Sequence, residues 1–247
     1  MRETQRLDKL LSNSGYGSRR EIKELVKRGA VSVDNVTVRD EGMHIDPKTV
    51  VVKINGQVLN YRRYVYVMMN KPSGVVSATY DSKLKTVADI LPERYKCFGL
   101  FPIGRLDIDT EGLLVMTNDG QLAHGLLSPK KHVRKKYYAL VRGRVDREDA
   151  VLFQRGVVLD DGYKTMPAVL DILRQGEFSE VELVIYEGKF HQVKRMFKAV
   201  GKEVKYLKRV EMGKLKLDEG LKPGECRELA PEEEKLLKDS AGPNSAG

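Results

Sequence analysis

The sequence predicts an α+β protein in two parts. A small N-terminal module of two helices plus short strands precedes a larger domain with a mixed, mainly antiparallel β-sheet flanked by helices. Three observations carry this. The first sixty residues run through helix caps and hairpin turns in quick succession. Beyond them, alternating stretches of strand type outnumber those of helical period. Few strand–helix–strand units appear, which argues against a parallel, doubly wound sheet. At 247 residues, 41% hydrophobic and 32% charged, the chain can fill both parts with a core.

In the module, Leu7, Leu10 and Leu11 share one helical face until Gly15 and Gly17 break it. Ser18-Arg19-Arg20-Glu21 is a capping box, in which the hydroxyl and the carboxylate each satisfy an amide of the helix start. The second helix runs through Ile22, Leu25 and Val26 and stops at Gly29. Val31, Val33, Val36 and Val38 alternate across Asp34-Asn35, and Asn55-Gly56 turns a second hairpin between 50–54 and 57–59. Arg6, Lys9, Arg19, Arg20, Lys23, Lys27 and Arg28 fall on the exposed helical face. This places the module at 1–60, a linker at 61–63, and the second domain at 64–236. The stretch 237–247, ending in small polar residues, is expected to be a disordered tail.

In the second domain, strands are expected at 64–69, 113–116, 137–141, 168–173 and 181–186, and helices at 121–127 and 189–200. Asn70-Lys71-Pro72-Ser73-Gly74 reads as a turn that puts Lys71 at a strand end. The helix at 189–200 has Phe190, Val193, Phe197 and Val200 as its apolar stripe, with His191, Lys194, Lys198 and Lys202 opposite.

Charge points to the partner. Lys and Arg number 44 against 35 Asp and Glu, for a net +9. Residues 61–140 hold 13 basic against 7 acidic residues, and residues 186–216 hold 10 against 3. Two concentrated basic segments beside an acidic C-terminal stretch favour a surface that tracks phosphates. No apolar run is long enough to cross a bilayer, no leader-like segment follows Met1, and the two cysteines form no metal-type pair or disulfide framework. The expectation is a monomeric cytoplasmic protein directed at nucleic acid, with no membrane partner.

The most distinctive run is Gly104-Arg105-Leu106-Asp107-Ile108-Asp109-Thr110-Glu111-Gly112. Its acidic spacing resembles the start of a calcium loop. Such a loop needs Asp or Asn fifth and a bidentate Glu twelfth, and Glu111 and Asn118 stand there, so no metal site is assigned. A nuclease reading fails for want of any larger carboxylate or His cluster.

Two families are resembled. Arg6-Leu-Asp-Lys-Leu-Leu, Ser18-Arg-Arg-Glu and Gly29-Ala-Val-Ser-Val-Asp match the S-four-type RNA-binding domain over residues 5–52. The Gly104 run, with Tyr66–Lys71 leading into Pro72-Ser73-Gly74, Lys135-Lys136-Tyr137-Tyr138, and residues 187–197, resembles the RNA pseudouridine synthases. Within that family the likeness is to the RsuA type, which acts on small-subunit ribosomal RNA. Asp109, Asp119-Gly120-Gln121 and Pro223-Gly224-Glu225 followed by Arg227 favour that branch. Lys136 and Cys226 depart from the usual Thr and Tyr, away from catalytic positions.

The resemblance implies isomerisation of a flipped-out uridine to pseudouridine, a reaction needing no cofactor, second substrate or metal. It assigns Asp107 as the catalytic carboxylate, acting on the ribose or on the base, and Tyr137 as the ring that stacks on the uracil. The third-block cation falls on Lys194, with Arg195 as the alternative partner of Asp107. His191 and Gln192 invite a catalytic role, but with four histidines and no triad partners His191 is read as hydrogen-bonding or packing. Arg105, Lys71, Arg195, Arg19, Arg20 and Lys23 are the expected RNA contacts. The alternatives are a large-subunit synthase of the same family and a non-catalytic RNA-binding assembly factor; the trio Asp107, Tyr137 and Lys194 argues against the latter.

Overall fold

The computed structural model describes residues 4–59 and 61–242. The chain divides into two compact units, Met1–Val65 with Leu91–Leu100, and Tyr66–Ile90 with Phe101–Gly247. Segment 91–100 thus packs with the N-terminal unit, although it lies inside the stretch expected to form the second domain.

The first unit holds β1 (Gln5–Arg6), α1 (Leu7–Asn13), α2 (Arg19–Lys27), β2 (Val31–Val33), β3 (Val36–Thr37), β4 (His44–Ile45), β5 (Val52–Ile54), β6 (Gln57–Val58) and the short α3 (Glu93–Lys96). The strands β3-β2-β5-β6 form one antiparallel sheet, and β1 pairs with β4. The capping box is complete: the Ser18 amide donates to Glu21 Oε2 at 2.7 Å and the Glu21 amide to Ser18 Oγ at 3.4 Å. Asp34 and Asn35 both have positive φ, 49° and 67°, as do Asn55 and Gly56, 50° and 81°, as type I′ turns require. Leu7, Leu10, Leu11, Ile22 and Val31 are fully buried in one core.

The second unit is built on a nine-stranded sheet. Its strands are β7 (Tyr66–Lys71), β8 (Phe101–Pro102), β9 (Glu111–Thr117), β10 (Lys135–Arg142), β11 (Val169–Arg174), β12 (Phe178–Ile185), β13 (Glu203–Met212), β14 (Leu215–Lys216) and β15 (Cys226–Glu228). The order is β11-β12-β10-β13-β9-β7-β15, with β14 on β13 and β8 on β9. Among these strands, β13 and β9 run parallel and the other pairs antiparallel, so the sheet is mixed and mainly antiparallel. Helices α4 (Gly120–Leu127), α5 (Arg147–Arg155), α6 (Gln192–Ala199) and α7 (Pro231–Ala241) complete the unit.

Four differences from the sequence reading matter. Asn70 and Lys71 extend β7, pairing with Leu113 and Gly112, where a turn was expected. Strand β13 escapes the pattern because Arg209 puts a charge on the face of Leu207 and Met212, and two register shifts against β10, between Lys136 and Tyr137 and between Leu140 and Val141, break the period of two. Helix α6 starts at Gln192, not 189, because His191 takes a left-handed φ of 48°. Residues 237–241 belong to α7, with Leu237 and Ala241 buried, so the disordered-tail expectation is wrong there. Residues 243–247 lie outside the described residues.

The parallel contact of β9 with β13 is unusually close. Gly112 has φ +102°, and a Cβ on it would lie 2.2 Å from the Arg209 carbonyl oxygen. Only glycine fits this register, and it sits directly after the loop that carries Asp107.

Candidate active site

Asp107 lies in loop 103–110, between β8 and β9. The loop is shaped from inside by Lys71, the last residue of β7, which is fully buried. Its ammonium donates to the carbonyls of Pro72 (3.0 Å), Asp107 (3.1 Å), Ile108 (3.2 Å) and Thr110 (2.9 Å). A buried charge persists only where such dipoles replace its water shell. Burial pushes Lys71 down to about 8, against the raising pull of Asp109, Asp107 and Glu111. Ser77 adds a second clamp, its hydroxyl donating to the Leu106 carbonyl at 2.9 Å and accepting from the Leu106 amide at 3.1 Å. Lys71 is therefore not a surface contact for RNA. It positions the loop, and that expectation is corrected.

With its backbone so held, the Asp107 carboxylate emerges into solvent, 26% exposed. Lys194 on α6 brings its ammonium to 3.3 Å from Asp107 Oδ2 and 2.5 Å from Asp109 Oδ1. One lysine thus bridges the two carboxylates whose spacing had raised the calcium reading. Partial burial raises the Asp109 carboxyl, but the bond and charge of Lys194 outweigh it and hold the group below the ordinary range. Arg195 faces elsewhere, paired with Asp160 and Asp161. Lys194 is accordingly the cation beside Asp107. His191 Nε2 stands 3.7 Å from Asp107 Oδ1, beyond hydrogen-bond reach, and its ring stacks on Phe190.

Tyr137, on β10, supplies the opposite wall. With Arg105, Asp107, Thr110, Ile185 and Leu207 it lines one cleft. Tyr137 is 7% exposed, and Arg105 is exposed at the mouth. Arg19, Arg20 and Lys23 are on α2 of the N-terminal unit, all exposed, with Lys23 3.9 Å from Glu41. The structure therefore brings Asp107, Tyr137, Lys194 and Arg105 to one place, while Lys71 lies buried beneath them.

Other residues of the site were not legible in advance. Lys135 of the Lys-x-Tyr block is buried, donates to the Val133 carbonyl at 2.8 Å, and is pushed down to about 8 by burial and by Arg209, with Glu187 opposing. Arg209 is buried and donates through Nε to the Leu113 carbonyl at 2.8 Å. Its Nη2 and the Thr110 hydroxyl are buried without partners among the described residues. Gln192 is buried, and its amide donates to Glu187 at 2.9 Å; Glu187 also accepts from Tyr163 Oη at 2.6 Å. Phe190, read as part of the apolar stripe, is instead 68% exposed, and Val193, Met196 and Phe197 make the buried face. Lys202, read as solvated, pairs with the buried Asp149 at 2.6 Å.

Comparison with known proteins bears on this arrangement. Residues 65–199 match the family model for RNA pseudouridylate synthase, and residues 5–51 match the S4 domain. The chain is 53% identical to an uncharacterized RNA pseudouridine synthase of Bacillus subtilis, YtzG, over 95% of this chain and 98% of that one. It is 40% identical to ribosomal large subunit pseudouridine synthase B of the same species, over 95% and 96% of the two chains. It is also 40% identical to ribosomal small subunit pseudouridine synthase A of Vibrio cholerae, over 92% and 97%. A crystal structure of a pseudouridylate synthase superposes with a TM-score of 0.66 at 32% identity, covering 94% of this chain and 99% of that one.

Proposed function

The chain belongs to the RNA pseudouridine synthase family, and from that premise we propose that it isomerises a specific uridine of small-subunit ribosomal RNA. As an RNA pseudouridine synthase it is an isomerase that also carries an RNA-binding S4 domain. Ribosomal RNA as substrate is supported by relatives named for both subunits. These two are equally similar, so the small-subunit choice rests on Asp109, Asp119-Gly120-Gln121 and Pro223-Gly224-Glu225 with Arg227.

The observation that carries the enzymatic reading is that Asp107 and Tyr137 line one cleft, with the Lys194 ammonium 3.3 Å from the Asp107 carboxylate. In the reaction the N1–C1′ bond breaks, the uracil turns, and a C5–C1′ bond forms. The C5 proton leaves and N1 ends protonated, so nothing is gained or lost overall. Asp107 serves as nucleophile toward the sugar or base, or as acceptor of a proton. The ammonium of Lys194 forms an ion pair with its carboxylate at 3.3 Å. Tyr137 stacks on the extruded uracil, its hydroxyl placed toward the C5 proton. Arg105 at the mouth contacts the phosphate of the flipped nucleotide, and the α2 face with Arg19, Arg20 and Lys23 adds affinity for the backbone. The test is to incubate transcripts of both ribosomal RNAs with the protein and map pseudouridine. A single modified uridine in the small-subunit transcript is expected. Modification confined to the large-subunit transcript would move the substrate, and none in either transcript or in assembling subunits would overturn the reading.

A further inference from the structure

An exposed phenylalanine beside a catalytic cleft calls for a physical reason. Phe190 is 68% exposed, although it sits among residues whose sequence pattern would bury it in α6. The left-handed turn at His191 (φ 48°) is what swings it out. The two rings then stack, centroids 3.8 Å apart and planes 18° from parallel, with the Phe190 ring left open to solvent.

This pair stands between two recesses. On one side is the cleft around Asp107, Arg105 and Tyr137, which Phe190 itself borders. On the other is an open groove lined by Phe190, His191, Lys194, Arg195 and Lys198, with Asp160 and Asp161, which pair with Arg195. A strand of RNA whose uridine enters the first recess must carry its neighbouring nucleotide across the rim. Extruding one base unstacks its neighbour, which then presents a bare π-face. An exposed ring pair suits such a face, because stacking tolerates any base.

We propose that the Phe190–His191 pair is a stacking ledge for the nucleobase adjacent to the target uridine, a subsite distinct from the uracil site at Tyr137. The ledge rests on the reading of this chain as a synthase acting on RNA. It holds the flanking nucleotide in place, and His191 backs Phe190 rather than joining the chemistry.

The full-length protein is assayed on transcripts of both ribosomal RNAs, with initial rates measured across RNA concentration and binding measured in parallel. Phe190→Ala should raise the RNA concentration for half-maximal rate, and the dissociation constant, roughly tenfold, the scale of one lost base stack. The rate at saturating RNA should stay within about twofold. Phe190→Trp should restore wild-type binding, whereas Phe190→Leu, apolar but not aromatic, should not. Unchanged binding in the alanine variant, full rescue by leucine, or a loss confined to the saturated rate would each overturn the ledge. If the wild type forms no pseudouridine, the synthase reading fails. The binding series alone then judges the ledge, and the same order of alanine, leucine and tryptophan is required of it.

Discussion

Loop 103–110 and the outer face of α2 are both rich in charge, yet they are built in opposite ways. In the loop, the backbone carbonyls of Asp107, Ile108 and Thr110 converge on one buried ammonium, and Leu106, between Arg105 and Asp107, is held at both its carbonyl and its amide by Ser77. On α2, Arg19, Arg20 and Lys23 stand in solvent on a helix that is fixed only by its cap and its inner residues Ile22 and Val26. The difference suits the two tasks proposed for these regions. Chemistry demands that one carboxylate be placed within tenths of an ångström, so its support is buried and satisfied group by group. Affinity for a polyanion demands only charge density, which flexible exposed side chains provide.

The sharpest way to break that contrast is Asp107→Asn. It keeps shape and hydrogen-bonding reach but removes the anion. Pseudouridine formation should fall by factors of roughly 10²–10⁴ or more while RNA binding persists. Asp109→Asn, which removes the second partner of Lys194, should remain partly active. Equal loss in both would show that the carboxylates act as a pair.

Next comes Lys71→Met. It leaves four carbonyls without their donor, and chemical denaturation should register a loss of about 3 kcal/mol or more. The same residue has a pH signature. Lys71 and Lys135 are both lowered by burial from 10.5 to about 8, so above pH 8 the unfolded chain holds more protons than the folded one. Their contribution to stability therefore rises with pH across the window from about 8 to 10.5, and is flat below it. Urea midpoints between pH 8 and 9.5 should climb less steeply in Lys71→Met than in the wild type. An unchanged slope would mean that Lys71 is not the titrating group.

A milder probe is Tyr137→Phe, which keeps the stacking face and removes the hydroxyl. RNA binding should hold, and product formation should drop by about tenfold or more if the hydroxyl handles the C5 proton. Equal turnover in the two proteins would leave Tyr137 as a stacking residue alone. The smallest effect belongs to α2. Neutralising Arg19, Arg20 and Lys23 together should flatten the dependence of log affinity on log salt by roughly two to three, leaving the saturated rate intact. A change in that rate instead would place the α2 face in the chemistry.

Local signals were legible because they are complete within a few residues. The Ser18–Glu21 box, the Asn55-Gly56 turn and the stop at Gly29 each carry their own hydrogen-bonding or φ requirement. Asp107, Tyr137 and Lys194 were legible only through a family likeness, since no spacing brings residues 107, 137 and 194 together. What escaped was set by tertiary contact. Lys71 resembles a surface lysine until the carbonyls around it are seen, and Phe190 fits a helical stripe until His191 turns the chain out of helix. Strand β13, at the centre of the sheet, is masked by charges such as Arg209 that find partners only in the fold.

The Lys71 knot does for loop 103–110 what a captured metal ion does for many binding loops, with one distinction: this cation is covalently tethered. An ion taken from solution departs on dilution or chelation, whereas a side-chain ammonium meets its ligands at a fixed, very high effective concentration. Assembly of the loop is thereby fused to the docking of β7 on β9, since Lys71 is itself paired with Gly112 across those strands. The loop should therefore show no melting step separate from that of the strands. The amides of Leu106 and Thr110, bonded to Ser77 Oγ and to the Asp107 carbonyl, should exchange with solvent deuterium as slowly as the central strands do, not at the pace of a surface loop.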